Sequence, residues 1–306
     1  MEYFDLVYNE INKAILNPED SDSRLSGYSG NKLLSVLQNL SRSTLDVNTC
    51  YLEVGVYQGL SLLSVAKEIN NSIAYGIDNF AFFDKDGKNL SIIRERINKL
   101  NVLNAEILNS DYEDVLENLS LYIGDKKIGV YFVDGPHDYR SQLMCLLLIK
   151  PFLSENAVII IDDSNYSHVR QANKDFLQTN PEFKLFFEAY TSSHPNNMMT
   201  TDKELARKGW WNGVNILVKD KKNLLSIFFP PTMRDRTLYE NEHTMHAIKY
   251  PLVPIKLLNI YDLIGKYLNK RFRKRDGWYE GRYKLMNTYS ETLPEYRFNE
   301  KFLIHK

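Results

Sequence analysis

The chain is poor in cysteine and carries almost no net charge. Its 306 residues include two cysteines, Cys50 and Cys145, and its formal net charge at pH 7 is −1. Two cysteines cannot form the disulfide framework of a small secreted protein, and we expect both to be buried as small apolar side chains. A charge near zero gives no overall attraction to a polyanion, so no nucleic-acid partner is expected.

Long apolar runs are also missing. No stretch reaches the roughly 20 apolar residues that cross a bilayer, and no charged and apolar signal region stands at the N-terminus. These absences lead us to expect a cytoplasmic protein. The composition, 43% hydrophobic and 25% charged, is that of an ordinary globular protein with an ample core.

Short apolar runs alternate with helical patterns between residues 49 and 222. Strands are predicted at 50–54, 73–77, 105–108, 128–133, 157–161, 183–190 and 214–218. This alternation predicts an α/β fold with a doubly wound, mostly parallel, seven-stranded sheet, in which one of the last two strands could be antiparallel. Residues 1–48 are predicted to form an N-terminal helical segment. Residues 223–306 are predicted to be a C-terminal appendage, mainly helical and irregular, that does not continue the sheet.

Two of the apolar runs end at acidic residues. Val130–Val133 runs into Asp134, and Val158–Ile161 runs into Asp162 and Asp163. In an open parallel sheet the ligand crevice lies at the carboxyl ends of the strands. Like charges gathered there repel one another unless a cation or a proton intervenes, so the three acids predict a divalent metal site.

The first strand leads into a loop bounded by Gly55 and Gly59 and preceded by Glu53. Glycines let the backbone approach a ligand closely, and the helix that follows points its N-terminus at that ligand. The loop lacks the middle glycine of a dinucleotide-binding G-x-G-x-x-G and the lysine of a phosphate-binding P-loop. The acid before the first glycine instead suits a ligand with an ammonium group.

Acidic residues also follow the second and third strands. Asp78 stands where an acid can bind both hydroxyls of a ribose, and Ser110 and Asp111 are placed to face an adenine edge. Taken singly, each acid would be a solvated loop residue or a helix cap. Their shared position at strand ends favours nucleoside binding.

Together these motifs resemble those of class I S-adenosylmethionine-dependent methyltransferases. The run 132–139, Phe-Val-Asp-Gly-Pro-His-Asp-Tyr, and the run 161–166, Ile-Asp-Asp-Ser-Asn-Tyr, look more specifically like macrocin-type sugar O-methyltransferases and their cephalosporin-hydroxylase-like relatives. The resemblance covers about residues 25–218 and departs from the common pattern at Pro136. It implies a Rossmann-like methyltransferase fold with S-adenosylmethionine as the cofactor, and it favours a homo-oligomer.

The resemblance also implies roles for the motif residues. It places the methionine half of the cofactor beside the glycines, its ribose beside Asp78 and its adenine beside Asp111. The expected cofactor-binding residues are Glu53, Gly55, Tyr57, Gly59, Asp78, Ser110 and Asp111. Asp134, Asp162 and Asp163 match the magnesium ligands of the family.

The predicted reaction is metal-dependent transfer of a methyl group from S-adenosylmethionine to a hydroxyl of a sugar, glycoside or glycan. A sugar hydroxyl is a poor nucleophile, so the reaction needs a cation, expected to be Mg²⁺, and a base. Asp134 and His137 are the predicted catalytic residues. His137 is either the base or a brace for a metal ligand, with equal weight given to the two. The alternatives are a nicotinamide-dependent oxidoreductase and a non-catalytic scaffold that uses the basic, aromatic C-terminal region.

Three other segments have candidate roles. Trp210 and Trp211 could wall an acceptor pocket, although ordinary packing explains at least one of them. The polar loop 192–201, which contains His194, is either a lid or a surface loop. Residues 255–272 predict an amphipathic helix that ends in a run of cations, Lys266, Lys270, Arg271, Arg273, Lys274 and Arg275. Interaction with the helix dipole is the simpler explanation of that run, and contact with an anionic membrane is the minority one.

Overall fold

The computed structural model describes residues 2–81, 83–84, 86–191, 199–234 and 295–304, with separate positions between 253 and 267. Those separate positions are helical, as the sequence predicts. His194 and the six cations of the predicted basic run lie outside the described residues.

Eight strands form one sheet in the order β3-β2-β1-β4-β5-β7-β6-β8. The strands from β1 to β5 pair in parallel, whereas β7 is antiparallel to both β5 and β6, and β8 is antiparallel to β6. Their bounds are β1 (Thr49–Val54), β2 (Ala74–Ile77), β3 (Ala105–Leu108), β4 (Lys127–Val133), β5 (Leu153–Ile161), β6 (Phe183–Ala189), β7 (Val214–Lys219) and β8 (Tyr296–Phe298). The doubly wound α/β prediction is therefore confirmed.

Helices cover both faces of the sheet. They are α1 (Glu2–Leu16), α2 (Asn31–Thr44), α3 (Leu60–Ala66), α4 (Asn89–Leu100), α5 (Tyr112–Glu117), α6 (Ser120–Ile123), α7 (Tyr139–Ile149), α8 (Ser167–Thr179) and α9 (Thr200–Lys208), with a C-terminal helix at Glu300–Ile304. The predicted N-terminal helical segment corresponds to α1 and α2, which pack against each other.

The alternation of side chains along the central strands divides the core into two layers. In β4, Val130 and Phe132 belong to the apolar cluster shared with α1 to α4, whereas Tyr131 and Val133 belong to the cluster shared with α5, α7 and α8. Both faces of a strand are buried because successive side chains point to opposite sides of a sheet that is covered twice. Cys50 and Cys145 are buried and free, as the sequence predicts.

The sheet has eight strands where seven were predicted, because the end of the C-terminal region returns to it. Residues 296–298 pair with β6, so the prediction that this region does not continue the sheet is wrong for its last segment. Phe298 and Phe302 both contact Tyr8 of α1, with ring centroids 4.7 and 5.4 Å apart. A three-residue strand is too short to show an alternating pattern, so periodicity could not have indicated it.

Within the described residues, no helix has the length and apolar character needed to cross a membrane.

Candidate active site

The acidic residues meet because the central strands end in register. Val54 of β1 lies beside Val133 of β4, which lies beside Ile161 of β5. The residues that follow these three ends therefore share one edge of the sheet. A Cβ atom placed on Gly55 would lie 2.0 Å from the carbonyl oxygen of Asp134, so only glycine allows this approach. The glycine-bounded loop and the acidic strand end are thus in direct contact.

A compact cluster of Asp134, His137 and Asp163 lies at this edge. One ligand atom from each residue lies within 4.8 Å of the others. The His137 Nε2 atom is 2.6 Å from Asp163 Oδ2 and 4.0 Å from Asp134 Oδ1, so the imidazole stands between the two carboxylates. Tyr166, which is buried, stacks on the imidazole with ring centroids 5.4 Å apart and holds its orientation.

Asp162 and Asp163 take different orientations, although both were predicted to be metal ligands. The backbone N–H of Asp163 donates to Asp162 Oδ1 at 2.7 Å, which keeps the Asp162 carboxylate within its own turn. Asp162 is not a member of the compact cluster, and His137 takes that place. The sequence could not show which of the two carboxylates faces the cluster, because the conformation of the turn after β5 determines the directions of both side chains.

Asn212 fixes Asp163, and it is a site residue that the sequence analysis missed. Its side-chain amide donates a hydrogen bond to Asp163 Oδ1. The turn before β7 also holds the acidic loop through its backbone, because Asn165 N donates to Asn212 O at 3.0 Å and Ser164 N donates to Gly213 O at 3.2 Å. Asn212 is fully buried, and its Oδ1 atom has no hydrogen-bond partner within the described part of the chain. The available signal in the sequence was an asparagine just before an apolar strand.

The protonation states of the cluster follow from burial and from mutual repulsion. Burial, and then the neighbouring Asp162 and Asp163, hold the pKa of Asp134 well above its usual range. Burial and Asp163 do the same to the pKa of Asp162. Burial lowers the pKa of His137, but the charge and hydrogen bond of Asp163 more than offset this, so the net shift is upward. The three carboxyls therefore gain from any positive charge placed among them.

The donor set of the cluster fits a divalent cation. Carboxylate oxygens suit Mg²⁺ and Mn²⁺, and an imidazole nitrogen suits transition metals such as Mn²⁺ and Fe²⁺. Asp134 and His137 are about a quarter and a third exposed, whereas Asp163 is nearly buried, so the cluster opens to solvent on one side. Such an open side leaves room for a substrate oxygen beside the protein ligands.

Glu53 is positioned differently from the ammonium-binding acid that the sequence suggested. It is fully buried below the glycine loop, where Tyr51 Oη donates to Glu53 Oε2 at 2.7 Å and Ser61 Oγ donates to Oε1 at 3.2 Å. Burial raises its pKa to about 8. Both oxygens thus have protein donors, and the residue connects β1 to the first turn of α3.

Asp78 also serves the glycine loop. Its Oδ2 atom accepts hydrogen bonds from Val56 N and Tyr57 N at 2.9 and 2.8 Å, and its Oδ1 atom accepts from Phe80 N at 2.7 Å. The carboxylate therefore fixes the loop that surrounds the predicted cofactor position, and it remains half-buried at the strand end.

Ser110 and Asp111 lie at the end of β3, as predicted. The Asp111 side chain accepts from Glu113 N at 2.9 Å and caps α5. The helix-cap function that the sequence analysis set beside nucleoside binding is therefore present in the structure.

The paired tryptophans have separate environments. Trp210 is buried against Phe187, with ring centroids 5.1 Å apart, and belongs to the core. Trp211 is 7% exposed and contacts Tyr28. Three non-glycine residues around the site, Tyr57, Asp163 and Trp211, have the positive φ angles +50°, +54° and +60°. Backbone of this kind is costly for bulky residues and tends to gather at functional sites.

The strand order, the antiparallel β7 and the helices on both faces are those of the Rossmann-like methyltransferase fold. Residues 52–164, from β1 to the turn after β5, match a family model described as a methyltransferase domain. The matched stretch contains the glycine loop and all three residues of the compact cluster.

Solved structures with a similar fold include two methyltransferases. An O-methyltransferase from Bacillus cereus in complex with SAH is 15% identical, with a TM-score of 0.47, over 72% of this chain and 91% of that one. An SAH-bound methyltransferase from Podospora anserina is 16% identical, with a TM-score of 0.44, over 71% of this chain and 88% of that one. No curated protein matches the chain.

Proposed function

We propose that this protein is a divalent-cation-dependent O-methyltransferase that transfers the methyl group of S-adenosylmethionine to a hydroxyl of a sugar, glycoside or glycan. The observation that carries this proposal is the contact between the glycine loop and the Asp134–His137–Asp163 cluster. In that contact the Gly55 backbone lies directly against the Asp134 carbonyl. A donor held by the loop and an oxygen held at the cluster would therefore be neighbours.

The reaction is an in-line displacement. The acceptor oxygen forms a bond to the methyl carbon, the bond from that carbon to sulfur breaks, and a neutral thioether leaves. Proximity is the main requirement, because the donor is already activated by its positive charge. A divalent cation held by the Asp134 and Asp163 carboxylates, with His137 beside them, would orient acceptor hydroxyls and lower the pKa of one of them.

The proton of the acceptor hydroxyl needs a base at the same edge. The His137 imidazole, bonded to Asp163 and with a raised pKa, can accept that proton, and Asp163 would stabilise the imidazolium. Asp134 is the second candidate, since burial raises its pKa and about a quarter of its side chain is exposed. The two predicted catalytic residues thus lie within reach of one oxygen.

The sugar class is supported by the resemblance of runs 132–139 and 161–166 to macrocin-type enzymes. The nicotinamide alternative is disfavoured because the loop from Gly55 to Gly59 has no middle glycine. The scaffold alternative does not explain why three acids and a histidine are gathered at a strand edge. Mg²⁺ remains the expected cation, and Mn²⁺, which suits the same donor set, serves as the probe.

The first experiment compares the wild type with Asp163→Asn, using Mn²⁺ and adenosylhomocysteine as probes in isothermal titration calorimetry. We expect the variant to lose Mn²⁺ affinity by about 100-fold or more, because it loses a charged ligand that Asn212 orients. Adenosylhomocysteine should bind both proteins with affinities that agree within about threefold, since the substitution leaves the glycine loop unchanged.

Asp125→Asn, which removes an exposed carboxylate before β4, is the matched control and should bind both probes like the wild type. Equal loss of both probes in Asp163→Asn would make Asp163 a structural residue. Binding of NAD in place of adenosylhomocysteine would overturn the proposed reaction.

A further inference from the structure

A short segment before α2 connects the glycine loop to the turn before β7. We call residues 26–30, Ser-Gly-Tyr-Ser-Gly, the strap. At its first end Arg96 of α4 holds it to the glycine loop, because Arg96 Nη1 donates to Gln58 O at 2.6 Å and to Ser26 O at 3.1 Å. Arg96 Nη2 also donates to Ser26 Oγ at 2.7 Å. The guanidinium group of Arg96 therefore fixes the strap to the glycine loop.

The other end of the strap is anchored to the turn before β7. A Cβ atom on Gly30 would lie 2.1 Å from the carbonyl oxygen of Gly209, so the two backbones touch where only glycine fits. Lys32 N then donates to Gly209 O at 3.1 Å. The strap is thus held at both ends and connects the glycine loop to the turn that contains Trp211 and Asn212.

Tyr28 lies in the middle of the strap and presents its ring to solvent. Its ring centroid is 5.3 Å from that of Tyr57 and 6.2 Å from that of Trp211. Tyr28 is 60% exposed, whereas Trp211 is 7% exposed and is also covered by the Arg207 guanidinium 6.0 Å from its ring. Trp211 therefore packs beside Tyr28 and is itself almost completely covered.

The position of this aromatic group relates it to both halves of the site. Tyr57 belongs to the glycine loop, and Asp78 accepts its backbone N–H. Trp211 directly precedes Asn212, which donates to Asp163. The exposed Tyr28 ring is thus held between a residue of the glycine loop and the neighbour of the asparagine that binds Asp163.

We propose that Tyr28 is the residue on which the acceptor stacks, and that the acceptor is a saccharide whose C–H ring face lies on the Tyr28 ring while a hydroxyl points to the cluster. This rests on the proposed function for the identity of the reacting hydroxyl. Exposed aromatic rings with a polar tip bind ligands that have one apolar face and a polar edge. A pyranose ring has that character, and a planar phenol is the competing acceptor class.

The test measures acceptor binding without turnover. The full chain with Mg²⁺ and adenosylhomocysteine is mixed with methyl α-D-glucoside, methyl α-L-rhamnoside, methyl β-D-glucuronide and catechol, and saturation-transfer NMR reports which protons contact the protein. We expect ring C–H signals from at least one glycoside. In Tyr28→Ala the affinity for that glycoside should fall by about tenfold or more, while Tyr28→Phe, which keeps the ring, stays within about threefold.

Tyr122→Ala removes another exposed tyrosine, on α6, and should leave the glycoside signals unchanged. Saturation of catechol but of none of the three glycosides would overturn the saccharide assignment, as would the absence of any glycoside signal. Glycoside binding that is indifferent to Tyr28→Ala would overturn the stacking role. In each case retained adenosylhomocysteine affinity would leave S-adenosylmethionine as the methyl donor, whereas its absence would bring down the proposed function itself.

Discussion

Single side chains at the strand ends have functions that their position in the sequence does not show. Glu53 precedes the donor loop, yet its carboxyl group is enclosed by Tyr51, Ser61 and the start of α3. The sequence correctly placed it at the end of β1 but could not show which way it faced. Successive side chains of a strand point to opposite faces of the sheet. A shift of one position at the strand end therefore changes the direction in which a side chain faces.

The burial of Glu53 predicts a dependence of stability on pH. The folded-state pKa of about 8 lies well above the ordinary pKa of a glutamate side chain, so the fold favours the protonated form. Its contribution is present below the unfolded pKa and is lost as pH rises through the folded pKa. At about 1.4 kcal/mol per pKa unit, the ionisation of Glu53 should by itself remove about 4 kcal/mol of unfolding free energy between about pH 5 and about pH 8.5.

Urea unfolding at several pH values measures this loss. Glu53→Gln cannot ionise, so its unfolding free energy should change less over the same range than that of the wild type. Glu117→Gln, at an exposed position at the end of α5, should follow the wild-type curve. Parallel curves for the wild type and Glu53→Gln would show that Glu53 does not titrate in this range.

An ion pair links the edge strand β8 to β6. Arg297 Nε and Nη2 lie 2.8 and 2.5 Å from Glu188 Oε1, and Glu188 is fully buried on β6. Tyr190 Oη donates to the second oxygen of Glu188 at 2.7 Å. Burial raises the pKa of Glu188, with Tyr190 and Arg297 acting in the opposite direction.

Removing the cation should therefore cost more than removing an exposed one. We expect Arg297→Ala to lower the unfolding free energy by about 2–3 kcal/mol, because a buried carboxylate loses its partner. Arg24→Ala, which breaks an exposed pair with Asp22, should cost under about 1 kcal/mol. The double variant Glu188→Gln/Arg297→Ala should recover part of the loss in chemical denaturation. An additive double variant would mean that the pair is not coupled.

Elements with a clear local pattern could be predicted, and features that depend on distant partners could not. The seven strands between residues 49 and 222 are present, since their apolar runs and turn residues are local signals. The direction of β7 depends on a connection through α9, and the existence of β8 depends on β6, which lies more than one hundred residues earlier. The strap shows the same limit at the site, because Tyr28 reaches the strand ends through Arg96 and Gly209, which no local pattern connects to it.

Two described segments of the C-terminal region, 223–234 and 295–304, pack against the sheet domain, so we predict that a chain that stops at Lys222 does not fold stably. Leu225, Phe298 and Phe302 are core residues, and Asn299 donates to Leu185 O and Ser226 O at 3.0 and 2.9 Å. Losing two buried phenylalanines alone removes about 6 kcal/mol or more, which is comparable with the whole stability of a domain, about 5–15 kcal/mol.

Near-ultraviolet circular dichroism and dye binding compare the truncated chain with the full one. We expect the truncated chain to lose its fixed aromatic signal and to bind a hydrophobic dye, while a chain that lacks only residues 305 and 306 resembles the full chain. A truncated chain with native spectra and a cooperative thermal transition would restore residue 222 as a domain boundary.

The left-handed backbone at Tyr57, Asp163 and Trp211 means that backbone strain could be relieved there only by losing a side chain near the cluster. Of the seven non-glycine residues with positive φ in the described chain, these three surround one site. Glycine at any of them would relieve backbone strain, and it would also remove a side chain that the site uses. Selection for stability alone would therefore favour glycine at these three positions, at the expense of the side chains around the cluster.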